Sequence, residues 1–121
     1  MNLIMQDTLS LTFSALADPT RRAMLTLLSK GDKTVSDLAA PFLKSMSLPA
    51  ITKHIKVLEK AGLVIKTRDA QYRPCKLNAA ALQDVEAWMA PYRVYWEERF
   101  DRLDDYLKTI SEDKPKGSPH V

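Results

Sequence analysis

The sequence holds one cysteine (Cys75), three glycines and two histidines among 121 residues, and each scarcity closes off a class of protein. A lone thiol makes no intramolecular disulfide, so the chain is not a stapled extracellular scaffold, and the cytoplasm is the expected compartment. Gly31, Gly62 and Gly117 are too scattered to build a loop that cradles phosphates. With His54 and His120 the only imidazoles, neither a His-based nucleophile system nor a metal site of clustered N and S ligands comes together in one chain. Carboxylate-only metal sites stay open. No apolar run nears the ~18 residues that a membrane span needs. The stretch from Met1 to Asp7 lacks a basic leader before an apolar segment, which argues against a signal peptide. The adjacent pairs Glu97-Glu98 and Asp104-Asp105 point to different faces of a helix and read as solvated charge. These readings disfavour an enzyme, a metal or cofactor protein, and a membrane or secreted role.

What is present is ordinary in amount and uneven in placement. Hydrophobic residues make up 45% and charged residues 27%, a globular composition. The length suits one compact domain with an appended element. The net charge of +3 conceals two halves of opposite character. Residues 1–78 carry 12 basic and 6 acidic groups, whereas residues 79–113 carry 4 basic and 9 acidic groups. Within residues 44–76 there are 8 basic groups against 2 acidic ones, so a polyanion would be drawn there and repelled from the later segment. A solvated basic face without a partner fits the charge equally well.

Periodicity predicts mostly helix. Leu9, Leu11, Phe13 and Leu16 mark a first helix over residues 8–16. Asp18-Pro19 reads as an N-cap followed by proline at the first helical position, opening a helix to about residue 29. That helix is expected to gather Ala23, Met24, Leu27 and Leu28 on one face. Thr34-Val35-Ser36-Asp37 resembles a capping box and opens a short helix to about Phe42. Ser47-Leu48-Pro49 opens another, which Gly62 is placed to end. At about 100° per residue, Leu48, Ile51, Ile55 and Leu58 gather on one side of it, with Pro49, Lys53, Lys56 and Lys60 on the other.

Leu63 to Thr67 and Tyr72 to Leu77 read as two short strands about a turn, with Pro74 confining the second to an edge. Residues 79–110 show a near-heptad of apolar positions, interrupted by Arg99, and hold both tryptophans and three of the four tyrosines. Pro91 is expected to kink or break this helix. So heavy an apolar load needs a partner surface, and a second copy of the chain is the simplest candidate; packing onto its own domain is the alternative. The tail from residue 111 to 121 is expected to be disordered.

The expected fold is therefore mainly α with a small two-stranded β-ribbon. Three short helices followed by a β-ribbon describe a winged helix-turn-helix, in which the second helix of the motif presents its N-terminal residues to the major groove. The expected organisation is a DNA-binding domain over residues 1–110, ending in the helix 79–110, and the tail 111–121.

Leu16-Ala17-Asp18-Pro19-Thr20-Arg21-Arg22 resembles the opening of ArsR-type winged-helix repressors. The segment from Ser47 to Val64 is similar to that family's recognition helix and the start of its wing. The resemblance covers about residues 8–110. It implies a homodimeric transcriptional repressor on a two-fold operator of double-stranded DNA. By matching position, Ser47, Pro49, Ala50, Thr52, Lys53, His54 and Lys56 would face the major groove, and Arg68, Gln71 and Arg73 would belong to the wing. Many relatives carry glycine at the wing tip where this chain has Asp69-Ala70. Pairing through the first and last helices would place Leu9, Phe13, Met89, Tyr92, Trp96, Leu103 and Leu107 at the dimer interface.

The cysteine box of the arsenic sensors has no counterpart in residues 34–40, and residues 79–110 lack the histidine of the zinc sensors. The chain instead resembles a metal-independent subgroup, through Arg73-Pro74-Cys75-Lys76-Leu77 and Trp88-Met89-Ala90-Pro91-Tyr92 with Trp96 and Leu103. Relatives of that kind are often encoded beside a START-like protein, which implies an operon partner. Neither a cofactor nor a metal is expected. Cys75 is a candidate redox switch, since Arg73 and Lys76 would favour its thiolate, or simply a small residue at the wing base. His54 reads either as a phosphate or base contact or as a half-buried spacer. A different reading keeps the scaffold and changes the partner: a protein-interaction module that docks another protein through residues 79–110.

Overall fold

The computed structural model describes residues 7–67 and 73–112. Five helices and two strands follow in the order α1 (Thr8–Leu16), α2 (Pro19–Leu28), α3 (Val35–Ala39), α4 (Leu48–Lys60), β1 (Val64–Lys66), β2 (Cys75–Leu77) and α5 (Ala80–Glu112). A 3-10 turn over Ala40–Phe42 continues α3, which accounts for the expected helix as far as Phe42. The chain divides into two compact units, Met1–Glu86 and Ala87–Val121.

Four helices start where a short polar side chain takes up an orphan backbone N–H. Asp7 accepts from the Ser10 N–H at 2.6 Å and Asp18 from that of Arg21 at 3.0 Å. The Thr34 and Ser47 hydroxyls accept from Asp37 and Ala50 at 3.1 and 3.3 Å. At the other end of α4, Gly62 adopts a φ of 79°, the left-handed turn that only glycine enters without strain.

The core of the first unit lies where α2 meets α1, α3, α4 and β2. Met24, Leu38, Ile51, Ile55, Leu58 and Leu63 are wholly buried in it, with Ala15 and Thr12 from α1. Thr12 satisfies its hydroxyl by donating to the Thr8 carbonyl at 2.9 Å. The buried side of α2 is Met24, Leu25 and Leu28, with Leu27 partly buried. Ala23 is exposed, contrary to the face expected from periodicity. With neighbours on several sides, the buried arc of α2 takes in Leu25, and Ala23 lies beyond its edge.

β1 and β2 pair antiparallel, with Val64 opposite Leu77, Ile65 opposite Lys76 and Lys66 opposite Cys75. Pro74 was expected to leave β2 at an edge, and β2 is one of the two strands of a two-stranded sheet, with one isolated bridge on its other side at Cys75. The Cys75 N–H donates to the Lys33 carbonyl at 2.7 Å, and the Lys33 N–H donates back to Cys75 at 3.1 Å. Cys75 thus has a neighbour on both sides. Pro74 has no N–H to offer, and its carbonyl accepts from the Thr67 N–H at 3.0 Å and the Thr67 hydroxyl at 3.3 Å. Asn78 closes the ribbon: its amide donates to the Gly62 carbonyl and its backbone N–H to Leu63, both at 2.8 Å.

α5 runs unbroken through Pro91, so the expected break does not occur. Proline removes one hydrogen bond to the carbonyl of Ala87. Ala87 is exposed, so water can serve that carbonyl instead. Within the second unit the Trp88 and Tyr92 rings lie 5.1 Å apart at 42°. Arg99, which interrupts the heptad, lays its guanidinium over the Tyr95 ring at 4.3 Å. The helix extends past the expected end at residue 110, and residues 113–121 lie outside the described residues.

Candidate nucleic-acid interface

α4 is the element on which most of the expected site residues converge. Ile51, Ile55 and Leu58 bury one side of it against the core, which fixes the direction of the other side. That other side presents Ser47, Pro49, Lys53, Lys56 and Lys60, all exposed, with Ala50, Thr52 and His54 half-buried at its margins. Pro49 sits in the first turn, where its missing N–H costs no hydrogen bond.

Leu48 departs from the expected pattern. Periodicity grouped it with Ile51, Ile55 and Leu58, yet it is 52% exposed. As the first residue of the helix, with side chains tilting toward the N-terminus, it points off the helix end. Together with Pro49, Thr52, Lys53 and Lys56 it lines a shallow depression on the exposed side of α4.

His54 is held from within the protein. Its Nδ1 lies 3.1 Å from Arg21 Nη1 and 3.9 Å from a carboxylate oxygen of Asp18. A guanidinium only donates, so Nδ1 accepts. Arg21 also donates through Nε to the Ala15 carbonyl at 2.7 Å and through Nη2 to Ser14 at 3.1 Å. Partial burial raises the Asp18 pKa; the Arg21 N–H, His54 and the Arg21 guanidinium outweigh it, leaving Asp18 below its ordinary value. The Asp-Pro-Thr-Arg motif therefore braces α4 at its midpoint. Neither Arg21 nor Leu48 was singled out from sequence, although the tilt of a first-turn side chain could have flagged Leu48.

The ribbon contributes less than its charges suggested. Arg73 is exposed and holds a φ of 39°, unusual for a residue with a side chain. Arg68 and Gln71 lie outside the described residues. Lys66 is paired with Glu59 at 3.4 Å, so part of its charge is already answered by α4. Cys75 is wholly buried in the core. Burial pushes its thiol pKa up, with Glu59 adding to the rise and Lys66 only partly opposing it. This is the opposite of the thiolate-favouring setting expected beside Arg73 and Lys76, because the side chain faces inward, away from solvent. Of the two readings of Cys75, burial and the raised thiol pKa favour the packing residue at the wing base over the redox switch.

The geometry now stands beside known proteins. Residues 16–67 match the family of helix-turn-helix domains. The chain is similar to the transcriptional repressor SdpR of Bacillus subtilis, 40% identical over 77 residues that take in 64% of this chain and 83% of that protein. The crystal structure of an ArsR family transcriptional regulator is 44% identical, with a TM-score of 0.67, covering 75% of this chain and 98% of that one. The chain belongs to the ArsR family of winged helix-turn-helix transcriptional regulators. This is a family of DNA-binding regulators and not of enzymes. At 22% identity and a TM-score of 0.52, a winged helix-turn-helix DNA-binding domain from Mycobacterium bovis, described as homodimeric, shares the fold. That match covers 84% of this chain and 95% of the other. In ArsR-family terms, α3 and α4 form the helix-turn-helix and β1 with β2 the base of the wing. Among the described residues no helix is long and apolar enough to cross a membrane.

Proposed function

We propose that this ArsR-family regulator is a homodimeric, sequence-specific repressor that binds a two-fold operator with α4 in the major groove. The observation that carries the reading is the polarity of α4. Ile51, Ile55 and Leu58 anchor one side, while Ser47, Pro49, Lys53, Lys56 and Lys60 stand exposed on the other. Lysines there hold phosphates and fix the register, and the N-terminal turn, with Ser47, Ala50 and Thr52, reads base edges. His54 joins the phosphate contacts through whichever face Arg21 leaves open. The wing, with Arg68, Gln71 and Arg73, lies along the backbone or in the minor groove. Residues 1–110 act as one DNA-binding domain with its pairing helix.

Homodimerisation is supported by α5. Tyr92, Trp96, Leu103 and Leu107 are each about half-exposed in the single chain, and Phe13 of α1 is 39% exposed. Leu9 and Met89 are partly buried and belong to the same proposed interface. The Mycobacterium bovis neighbour, which shares the fold, is described as homodimeric.

The regulator is assigned to a metal-independent mode of action. What supports this is that the one described imidazole has its Nδ1 accepting from Arg21 and the one thiol, Cys75, lies in the core with a raised pKa.

The test is selection of genomic DNA fragments by the purified protein at near-physiological salt, followed by sequencing. Enrichment of a short inverted repeat with half-sites about one helical turn apart supports the reading. Recovery of DNA with no common sequence means that only the electrostatic attraction is present. On the enriched site, Lys53→Ala should lower the slope of log affinity against log salt by about 0.9, the value for one lost phosphate contact. Thr52 substitutions should instead change base preference at constant slope.

A further inference from the structure

Leu48 is the one large apolar side chain that α4 turns out of the core, and the depression it helps to line is bordered by the lysines that the proposed function assigns to phosphates. We propose that Leu48, with Pro49 and the methyl group of Thr52, forms a thymine-methyl reader, so that each half-site carries thymine at the base step facing the first turn of α4. The inference rests on the reading of α4 as the helix in the major groove.

Three observations converge on it. The first is position. On a helix advancing about 100° per residue, Leu48, Thr52, Lys56, Pro49 and Lys53 fall in that order across an arc of about 140°. By angle Leu48 lies at the border between this arc and that of Ile51, Ile55 and Leu58; its place in the first turn, 52% exposed, puts it on the lysine side with Pro49 and Thr52. The second is the end of the helix at which they sit. The N-terminal residues of a recognition helix are those that reach base edges, and the Ser47 cap starts α4 beside them.

The third is chemistry. In the major groove the thymine 5-methyl is the apolar feature among the base edges, and aliphatic side chains contact it without needing a hydrogen bond. Leu48 is exposed beside Lys53 and Lys56 in the same depression, so an apolar contact is open to it where the lysines meet phosphates. Docked on DNA, it exchanges water for a methyl while Lys53 and Lys56 hold the flanking phosphates. Cytosine carries only a hydrogen at C5 where thymine carries the methyl, so the apolar contact is lost there.

The experiment uses the full chain and synthetic duplexes. A randomised duplex pool is selected by the protein, and the enriched site is remade with deoxyuridine in place of thymidine at one position at a time. The substitution deletes a single methyl and leaves the Watson–Crick pairing and the phosphates intact. At the thymine facing Leu48 the affinity should fall about fourfold for each half-site, as expected for one methyl group returned to water. The salt slope should stay constant. Leu48→Ala should erase the difference between thymidine and deoxyuridine at that position. Because Leu48 is half-exposed, this variant is expected to keep its fold, which circular dichroism and urea unfolding check independently.

Equal affinity for thymidine and deoxyuridine at every position overturns the methyl contact, as does an enriched half-site without thymine, while either result leaves the DNA-reading function standing. Thymidine preference that survives in Leu48→Ala assigns the methyl to another side chain and likewise overturns the inference. Failure to enrich any sequence overturns the reading of α4 itself and the methyl contact with it.

Discussion

Arg21 Nη1 donates to His54 Nδ1 at 3.1 Å, and the same guanidinium donates to the last-turn carbonyls of α1 at Ala15 and Ser14. One side chain on α2 therefore ties the C-terminal end of α1 to the middle of the recognition helix. Helix C-termini leave carbonyls short of partners, and a guanidinium, with five donors in a planar fork, serves the Ala15 carbonyl, adds a second donor to that of Ser14, which already accepts from the Ala17 N–H at 3.3 Å, and reaches His54 with a further nitrogen. In the proposed dimer α1 belongs to the pairing surface, so this bridge sets the distance between pairing surface and reading surface.

Replacement of Arg21 should therefore affect both stability and DNA binding. Arg21→Ala leaves the Ala15 carbonyl and His54 Nδ1 short of a donor and should cost about 1–3 kcal/mol of stability, read from urea unfolding. Arg21→Lys keeps the charge and loses the fork, so it should recover little of either property. His54→Gln, which retains an acceptor for Arg21, should lie closer to wild type than His54→Leu in operator affinity. Equal affinities for the two His54 variants would count against the bracing role.

Asp18 supplies an acid-sensitive element to the same corner. Partial burial raises its pKa, but the Arg21 N–H, the neighbouring His54 and the Arg21 guanidinium outweigh this, so the folded pKa lies below the ordinary 3.8. A depressed folded pKa means that the unfolded chain binds the proton more readily. The stability contributed by Asp18 is therefore present above about pH 4 and lost as pH falls through the lower, folded value. As an N-cap, Asp18→Ala should cost about 1 kcal/mol at neutral pH. Asp18→Asn keeps a capping oxygen and loses the charge. Its deficit relative to wild type should shrink as unfolding is followed from pH 7 toward pH 3, and a deficit independent of pH would refute the assignment.

Much of this molecule was readable from residue patterns, and the exceptions have physical causes. Three helix starts were legible because Thr34, Ser47 and Asp18 carry their own capping oxygen, and Pro19 and Pro49 stand where only a first turn tolerates them. The lysine side of α4 was legible because a 13-residue amphipathic helix has one way to face a core. Leu48 was misplaced because periodicity counts angle and ignores the end of a helix, where side chains overhang. The Lys33–Cys75 bridge has no sequence signature, since it is a pair of backbone bonds between segments far apart in the chain. The Arg21–His54 contact spans 33 positions and depends on helix packing. Cys75 was judged by its charged neighbours in sequence, whereas strand alternation turned it into the core and them outward.

The apolar load of α5 makes the last prediction. Trp88 and Trp96 are the only tryptophans in the chain, and both are about half-exposed in the single chain. Pairing with a second copy would withdraw Trp96 from water along with Tyr92, Leu103 and Leu107. Tryptophan emission should therefore move to longer wavelength on dilution, with sedimentation showing a dimer passing to a monomer over the same concentrations. Leu103→Glu places a charge in the seam and should yield a monomer with a retained helical spectrum, because in the single chain Leu103 is exposed and helix α5 does not rely on its burial. That monomer should bind a half-site weakly and lose the steep preference for the inverted repeat, since a linked second contact adds affinity without new chemistry. If Leu103→Glu remains dimeric, pairing runs through other residues. If the wild type is monomeric at micromolar concentration, the exposed face of α5 is open to a different protein, and the interaction-module reading gains over the dimeric one.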